Sequence, residues 1–200
     1  HISRPRGCLD EVRTLLRDHD SELKIEDLRI PGDPVEASFV GRLTDGQHQA
    51  AQAMLAHDRG VIVAPPGFGK TVFGTYLIAR RQCSTLVLVH RQPLLEQWRS
   101  QIGIFLGHDA KSVGQLGAGK RKLTGEIDVA MLQSLSRKDS VDDIVANYGL
   151  VIIDECHHLP AVSFERVLSE VRARYVVGLT ATPQRRDGHQ PIIHMQIGPV

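Results

Sequence analysis

The chain has 200 residues, 42% of them apolar, and 24 Lys and Arg against 23 Asp and Glu leave a formal net charge of +1. That length suits one domain with a small appendage, and the apolar share can fill a sizeable core. A near-neutral balance excludes a globally basic surface, so any nucleic-acid contact has to be local. Cys8, Cys83 and Cys156 lack metal-ligand spacing and fit free thiols in a reducing cytoplasm. No apolar run approaches the ~20 residues of a membrane span, and no leader pattern is visible. Beginning at His1, the chain reads as a piece of something longer.

In chain order, Gly7 to about Asp20 reads as a short amphipathic helix with Leu9, Val12, Leu15 and Leu16 on one face. Leu23, Ile25, Leu28 and Ile30 suggest a strand, and Pro31-Gly32-Asp33-Pro34 is a break. Residues 1–34 are too few for a core of their own and form an N-terminal α/β appendage, the tail of a larger accessory region. From Val35 onward short apolar strands alternate with helical stretches. The strands are Val61–Ala64, Thr85–His90, Ile127–Met131, Leu150–Asp154 and Tyr175–Thr180. Their apolar runs are nearly continuous, as in strands buried on both faces. The helices are Gln47–Ala56, Thr71–Arg81, Leu94–Phe105 and Phe164–Ala173, the last behind a Ser163 cap. This alternation predicts an α/β fold with a doubly wound, mostly parallel sheet, whose ligands bind outside the carboxyl ends of the strands.

The stretch Ala64–Thr71, APPGFGKT, lies between the apolar run Val61–Val63 and a helix. Backbone N–H groups of such a glycine-rich loop, with the helix N-terminus behind them, cradle phosphate. Pro66 supplies no N–H, so the amides that face the anion come from Gly67, Phe68 and Gly69 onward. Lys70 is placed to reach the β- and γ-phosphates, and the Thr71 hydroxyl to reach Mg²⁺. Some eighty residues on, LVIIDE ends a buried strand with two carboxylates. Asp154 can hold Mg²⁺ and Glu155 can polarise the attacking water, the two roles that phosphoryl transfer needs. An Asp-Glu pair can also merely cap the next helix.

Taken together, Gln47 in LTDGQHQA, the loop GFGKTV, TLVLVHRQPLLEQW, GAGK with IDVAMLQSL, DECHH and TATP resemble the ordered motifs of superfamily 2 helicases and translocases. The likeness runs from about Phe39 to Val200. Within the superfamily it resembles the DEAD/DEAH-box group typified by the type III restriction Res subunit and repair-type DNA translocases. The resemblance implies that residues 35–200 form the first RecA-like domain of an ATP-dependent DNA motor. A second RecA-like domain of the same polypeptide would be a partner, and the DNA a duplex or its single-stranded track. It implies that Gln47 reads adenine, that Pro66, Gly67, Phe68, Gly69, Lys70 and Thr71 bind the phosphates, and that Asp154 and Thr71 hold Mg²⁺. Glu155 becomes the catalytic base. His157, Thr180 and Thr182 become the residues that couple nucleotide state to nucleic-acid binding. Arg91, Gly117, Gly119, Gln133 and Ser134 lie along the tracked strand, meeting phosphates. Thr44, Gly46 and Met131 depart from the residues usual at their motif positions.

Two other classes stay open: another P-loop enzyme such as a nucleotide kinase, and a nucleotide-dependent binding module without motor activity. Neither a lid nor an acceptor pocket suggests the kinase. Cys156, His157 and His158 are adjacent, which does not suit zinc. Lys120-Arg121-Lys122 and Arg185-Arg186 read as solvated loops or as contacts to duplex phosphates. Trp98 shares a helix face with Leu94 and Leu95 and reads as core rather than as a base-stacking platform.

Overall fold

The structure, a computed structural model, describes residues 9–19, 24–107, 109–137, 140–156, 161–181 and 197. A seven-stranded sheet forms its centre, in the order β1-β9-β8-β2-β5-β3-β4. The strands are β1 (Arg59–Val63), β2 (Thr85–Val89), β3 (Gly114–Gly117), β4 (Lys120–Lys122), β5 (Ile127–Met131), β8 (Leu150–Asp154) and β9 (Tyr175–Thr180). All neighbours pair parallel except β3 and β4. A small hairpin, β6 (Ser136–Arg137) with β7 (Ser140–Val141), stands apart.

Period-two alternation divides each central strand between two cores. Leu150 and Ile152 of β8 and Val87 and Val89 of β2 face α2 (Asp45–Leu55), α3 (Lys70–Arg81) and α4 (Gln92–Leu106). Val151, Ile153, Leu86 and Leu88 face α5 (Leu132–Leu135) and α6 (Ala161–Glu170). Helices on both faces bury β2 and β8 completely, which is why their sequences are apolar apart from one end residue each, Thr85 and Asp154. Each fully buried Leu, Val or Phe in these layers contributes about 1.5–3 kcal/mol of transfer free energy. By the same parity Asp154 follows Leu150 and Ile152 onto the face of α3 and α4.

Helix ends match the chemistry available. Thr44 caps α2 in a capping box: its hydroxyl accepts from Gln47 N–H at 3.3 Å, and its own N–H donates to Gln47 Oε1 at 2.9 Å. Pro93 sits in the first turn of α4, where a missing N–H is harmless. Helix α6 begins at Ala161, so Ser163 lies inside its first turn and is not the cap that the sequence suggested.

Helix α1 (Leu9–Asp18) forms as expected. Leu23 lies outside the described residues, and the strand expected up to Ile30 is reduced to one bridge, Ile30 with Ala173. Ile25 and Leu28 are exposed, since no neighbouring strand flanks them on both sides. The chain after Arg29 is sewn to the sheet. Ser84 N–H donates to Asp33 O at 2.7 Å and Val35 N–H to Gln82 O at 3.1 Å, while the Arg29 guanidinium reaches Asp58 at 3.1 Å. The hairpin β3–β4 is an addition that the sequence reading did not foresee. Its Gly- and Lys-rich residues have low strand preference, and pairing with β5 makes the strand.

Candidate active site

The loop from Ala64 to Gly69 leaves the carboxyl end of β1 and delivers Lys70 as the first residue of α3. Two left-handed glycines, Gly67 (φ 85°) and Gly69 (φ 80°), fold it back over the helix N-terminus. At Gly69 a Cβ would also lie 2.7 Å from Gln47 Nε2, so a side chain there would displace Gln47. Gln47 is buried, and its amide donates to Phe68 O at 2.7 Å while its carbonyl accepts from Thr44. The glutamine thus ties the head of α2 to the loop.

Opposite the loop, β8 ends in Asp154 and Glu155. Register puts Asp154 beside Leu179 of β9 and puts Thr180 beside Val63 of β1, so loop, acids and Thr180 share one rim of the sheet. Thr180 is buried, and its carbonyl accepts from Ala64 N–H at 2.9 Å, joining the end of β9 to the first residue of the loop. Glu155 adopts φ 49°, a left-handed conformation that costs a non-glycine residue about 1–3 kcal/mol and recurs at functional sites. Its Oε1 lies 3.3 Å from Lys70 Nζ, which also donates to Ala64 O at 3.4 Å.

Asp154 is 4% exposed. Burial pushes its carboxyl above the ordinary value, and the Trp98 indole N–H, donating to Oδ2 at 2.7 Å, works in the opposite direction. The neighbouring Glu155 raises it further, while Lys70 and the Glu155 backbone N–H lower it. Thr71 sits in the first turn of α3, where its hydroxyl accepts from Gln97 Nε2 at 3.4 Å. A buried carboxylate and a threonine hydroxyl are hard oxygen donors, and with phosphate oxygens they compose the set that Mg²⁺ prefers. Among the described residues no group of three or more His, Cys, Asp or Glu could hold a metal.

Residues 41–185 match the family described as type III restriction enzyme, Res subunit. The chain belongs to this family. A DNA 3'-5' translocase XPB2 of Sulfurisphaera tokodaii is 32% identical over 79% of this chain and 35% of its own length. A DNA 3'-5' helicase XPB of Mycobacterium tuberculosis is 31% identical over 79% of this chain and 30% of its own. The chain therefore spans about a third of these relatives. In fold it resembles the UvsW helicase of bacteriophage T4, with a TM-score of 0.71 at 14% identity over 98% of this chain and 77% of that one. It also resembles the SWI2/SNF2 ATPase core of Sulfolobus solfataricus solved with double-stranded DNA, with a TM-score of 0.61 at 17% identity over 85% of this chain and 38% of that one. The α/β, RecA-like architecture expected from the sequence is the one these helicase domains share.

For this member of the Res family, Gln47, Pro66, Gly67, Phe68, Gly69, Lys70, Thr71, Asp154, Glu155 and Thr180 are gathered at the ends of β1, β9 and β8. His157 and Thr182 lie outside the described residues, as do Arg185 and Arg186. The residues expected along nucleic acid form a second group on the same rim, at the ends of β2, β5 and β3. Arg91 is exposed at the N-cap of α4, and Gln133 Nε2 donates to His90 O at 3.0 Å, joining α5 to that corner. Ser134 lies beside Gln133 on α5. Gly117 ends β3, and Ala118 and Gly119 (φ 51° and 76°) make the tight turn into β4. Sequence reasoning assigned Trp98 to the core, and it is fully buried. Its bond to Asp154 was missed. The one available signal was the parity of LVIID, which puts Asp154 on the α4 face.

No helix among the described residues is long and apolar enough to cross a membrane.

Proposed function

We propose that this chain is the first RecA-like, ATP-binding domain of an ATP-dependent DNA helicase or translocase, working in the cytoplasm. One observation carries the reading: Lys70, Glu155 and Asp154 converge beneath a glycine turn at the carboxyl rim of the sheet. Family membership gives that convergence its direction.

Lys70 is paired with Glu155. A triphosphate in the loop would compete for Lys70, because N–H groups and the ammonium then share its negative charge. Glu155, released from that pair, would orient and deprotonate the attacking water. Thr71 and Asp154 would hold Mg²⁺, which supplies charge neutralisation on the transferring phosphoryl group. Gln47, in hydrogen-bond contact with the loop, would present its remaining donor and acceptor capacity to adenine. Thr180, bonded through its carbonyl to Ala64, would transmit loop movement into β9, with His157 and Thr182 completing the coupling.

The second group, Arg91, Gly117, Gly119, Gln133 and Ser134, would follow the DNA backbone. Lys111, Lys120, Lys122 and Arg99 line a cavity of about 260 Å³ behind the β3–β4 hairpin. They give the nearly neutral chain a local positive field of the kind phosphates require. A second RecA-like domain of the same polypeptide would close the ATP site and contribute arginines.

The test uses the whole polypeptide to which this chain belongs. Glu155→Gln should bind ATP at least as tightly, since Lys70 loses a competing carboxylate, and should lose DNA-stimulated phosphate release, since shape is kept and the base is gone. Hydrolysis at the wild-type rate would place the base elsewhere.

A further inference from the structure

Two consecutive side chains of α4 reach the two protein groups assigned above to Mg²⁺. Trp98 Nε1 donates to Asp154 Oδ2 at 2.7 Å, and Gln97 Nε2 donates to Thr71 Oγ1 at 3.4 Å. The packing that allows this is specific. Gly74 lies one turn along α3 from Thr71, and a Cβ there would sit 2.5 Å from Trp98 Cη2. The missing side chain is the space that the indole occupies between the phosphate-loop helix and β8.

Trp98 is completely buried, so its N–H has to find an acceptor or lose the solvation of a polar group. That acceptor is Asp154. A phenylalanine would fill most of the same volume without a donor, so packing alone does not account for the tryptophan. An ionised carboxylate offers about four lone-pair sites. One bond to Oδ2 therefore fixes the orientation of Asp154 and leaves acceptor capacity for a cation. Loss of a group that orients a metal ligand in this way typically costs about 10–100-fold in metal affinity.

We infer that the Gln97-Trp98 pair of α4 is a positioning device for the divalent cation, with Trp98 orienting the Asp154 carboxylate and Gln97 the Thr71 hydroxyl. This rests on the reading that Mg²⁺ and ATP bind at the loop. Arg91, in the group expected along DNA, is the N-cap of α4, so one rigid element links both groups on the rim.

The experiment compares this 200-residue chain with its Trp98→Phe and Gln97→Leu variants. Affinity for a fluorescent ATP is measured in EDTA, and Mn²⁺ affinity of the complex with a non-hydrolysable ATP analogue is measured by electron paramagnetic resonance. Trp98→Phe should keep its metal-free nucleotide affinity within about twofold and lose about tenfold in Mn²⁺ affinity. Gln97→Leu should lose less, in keeping with its longer contact. A Trp98→Phe protein that melts earlier but binds Mn²⁺ as tightly as wild type would overturn the inference and leave a packing role. Should that variant fail to fold, the wild-type chain still decides. Its one tryptophan gives one indole N–H resonance, which should move when Mg²⁺ joins the analogue complex and stay still in Asp154→Asn. No movement in wild type sinks the inference. An Asp154→Asn chain with unchanged Mn²⁺ affinity would instead remove the metal reading on which it stands.

Discussion

Gly74→Ala tests the packing around Asp154 through the sign of its effect. Inside a helix, replacing glycine by alanine ordinarily stabilises by about 1 kcal/mol. Here the new methyl would stand 2.5 Å from Trp98 Cη2 and 3.2 Å from Cζ3. Carbon atoms pack best at about 3.5–4.0 Å, so the ring must retreat by roughly 1 Å. It has no solvent to swing into, being 0% exposed, and Leu179 Cδ1 lies 3.5 Å from the same methyl position. Overpacking of this kind costs about 1–3 kcal/mol. The retreat also pulls the indole off Asp154, and a hydrogen bond to a charged group is worth about 1.5–3 kcal/mol. Against the gain in helix preference, the net is a loss of about 1.5–5 kcal/mol. For a chain of this size each kcal/mol corresponds to about 2–4 °C, so Tm should fall by roughly 3–20 °C. Urea and thermal unfolding, followed through the emission of the single tryptophan, measure it. A Gly74→Ala chain as stable as wild type, or more so, would refute the account of why that glycine is there.

Lys70→Ala should lose measurable ATP binding, because the cation placed to meet the phosphates beside the loop amides is gone; equal fluorescent-ATP affinity would dismiss the phosphate-loop assignment. Asp154→Asn should stabilise the metal-free chain at neutral pH. Burial raises the carboxyl in the folded state, so its contribution to stability is greatest at low pH and is lost as pH rises through and above the ordinary value of 3.8. The advantage of the variant should therefore shrink in acid, and denaturant midpoints that stay parallel from pH 4 to pH 8 would contradict the burial. The isolated chain should hydrolyse ATP at or near background with or without DNA, since an arginine supplied from a second domain is worth about 10³–10⁵ in rate. Robust turnover that vanishes in Glu155→Gln would show a self-sufficient site. Cys83, pushed up to about 11 by burial, should resist alkylation at pH 8 until the chain unfolds, as mass spectrometry of labelled peptides can check.

Much of this molecule could be read from local signals. The runs TLVLV, IDVAM, LVIID and YVVGLT became strands over the residues expected, because strands covered on both faces need nearly continuous apolar sequence and little else in the chain supplies it. The loop APPGFGKT could be read for a different reason. Its glycines are needed for left-handed backbone and, in the proposed function, its Lys-Thr would serve phosphate and metal, requirements confined to eight consecutive residues. What lay beyond the sequence depended on partners distant along the chain. Strand β3 and its hairpin exist because β5 offers an edge, whereas the strand expected before Ile30 found no such edge. Gln47 reaches the loop through 21 residues of separation, and Trp98 reaches Asp154 through 56. The sequence by itself determined the kinds of chemistry present. The tertiary structure decided which side chain holds which, because a buried polar atom must find its partner across the packing of whole elements.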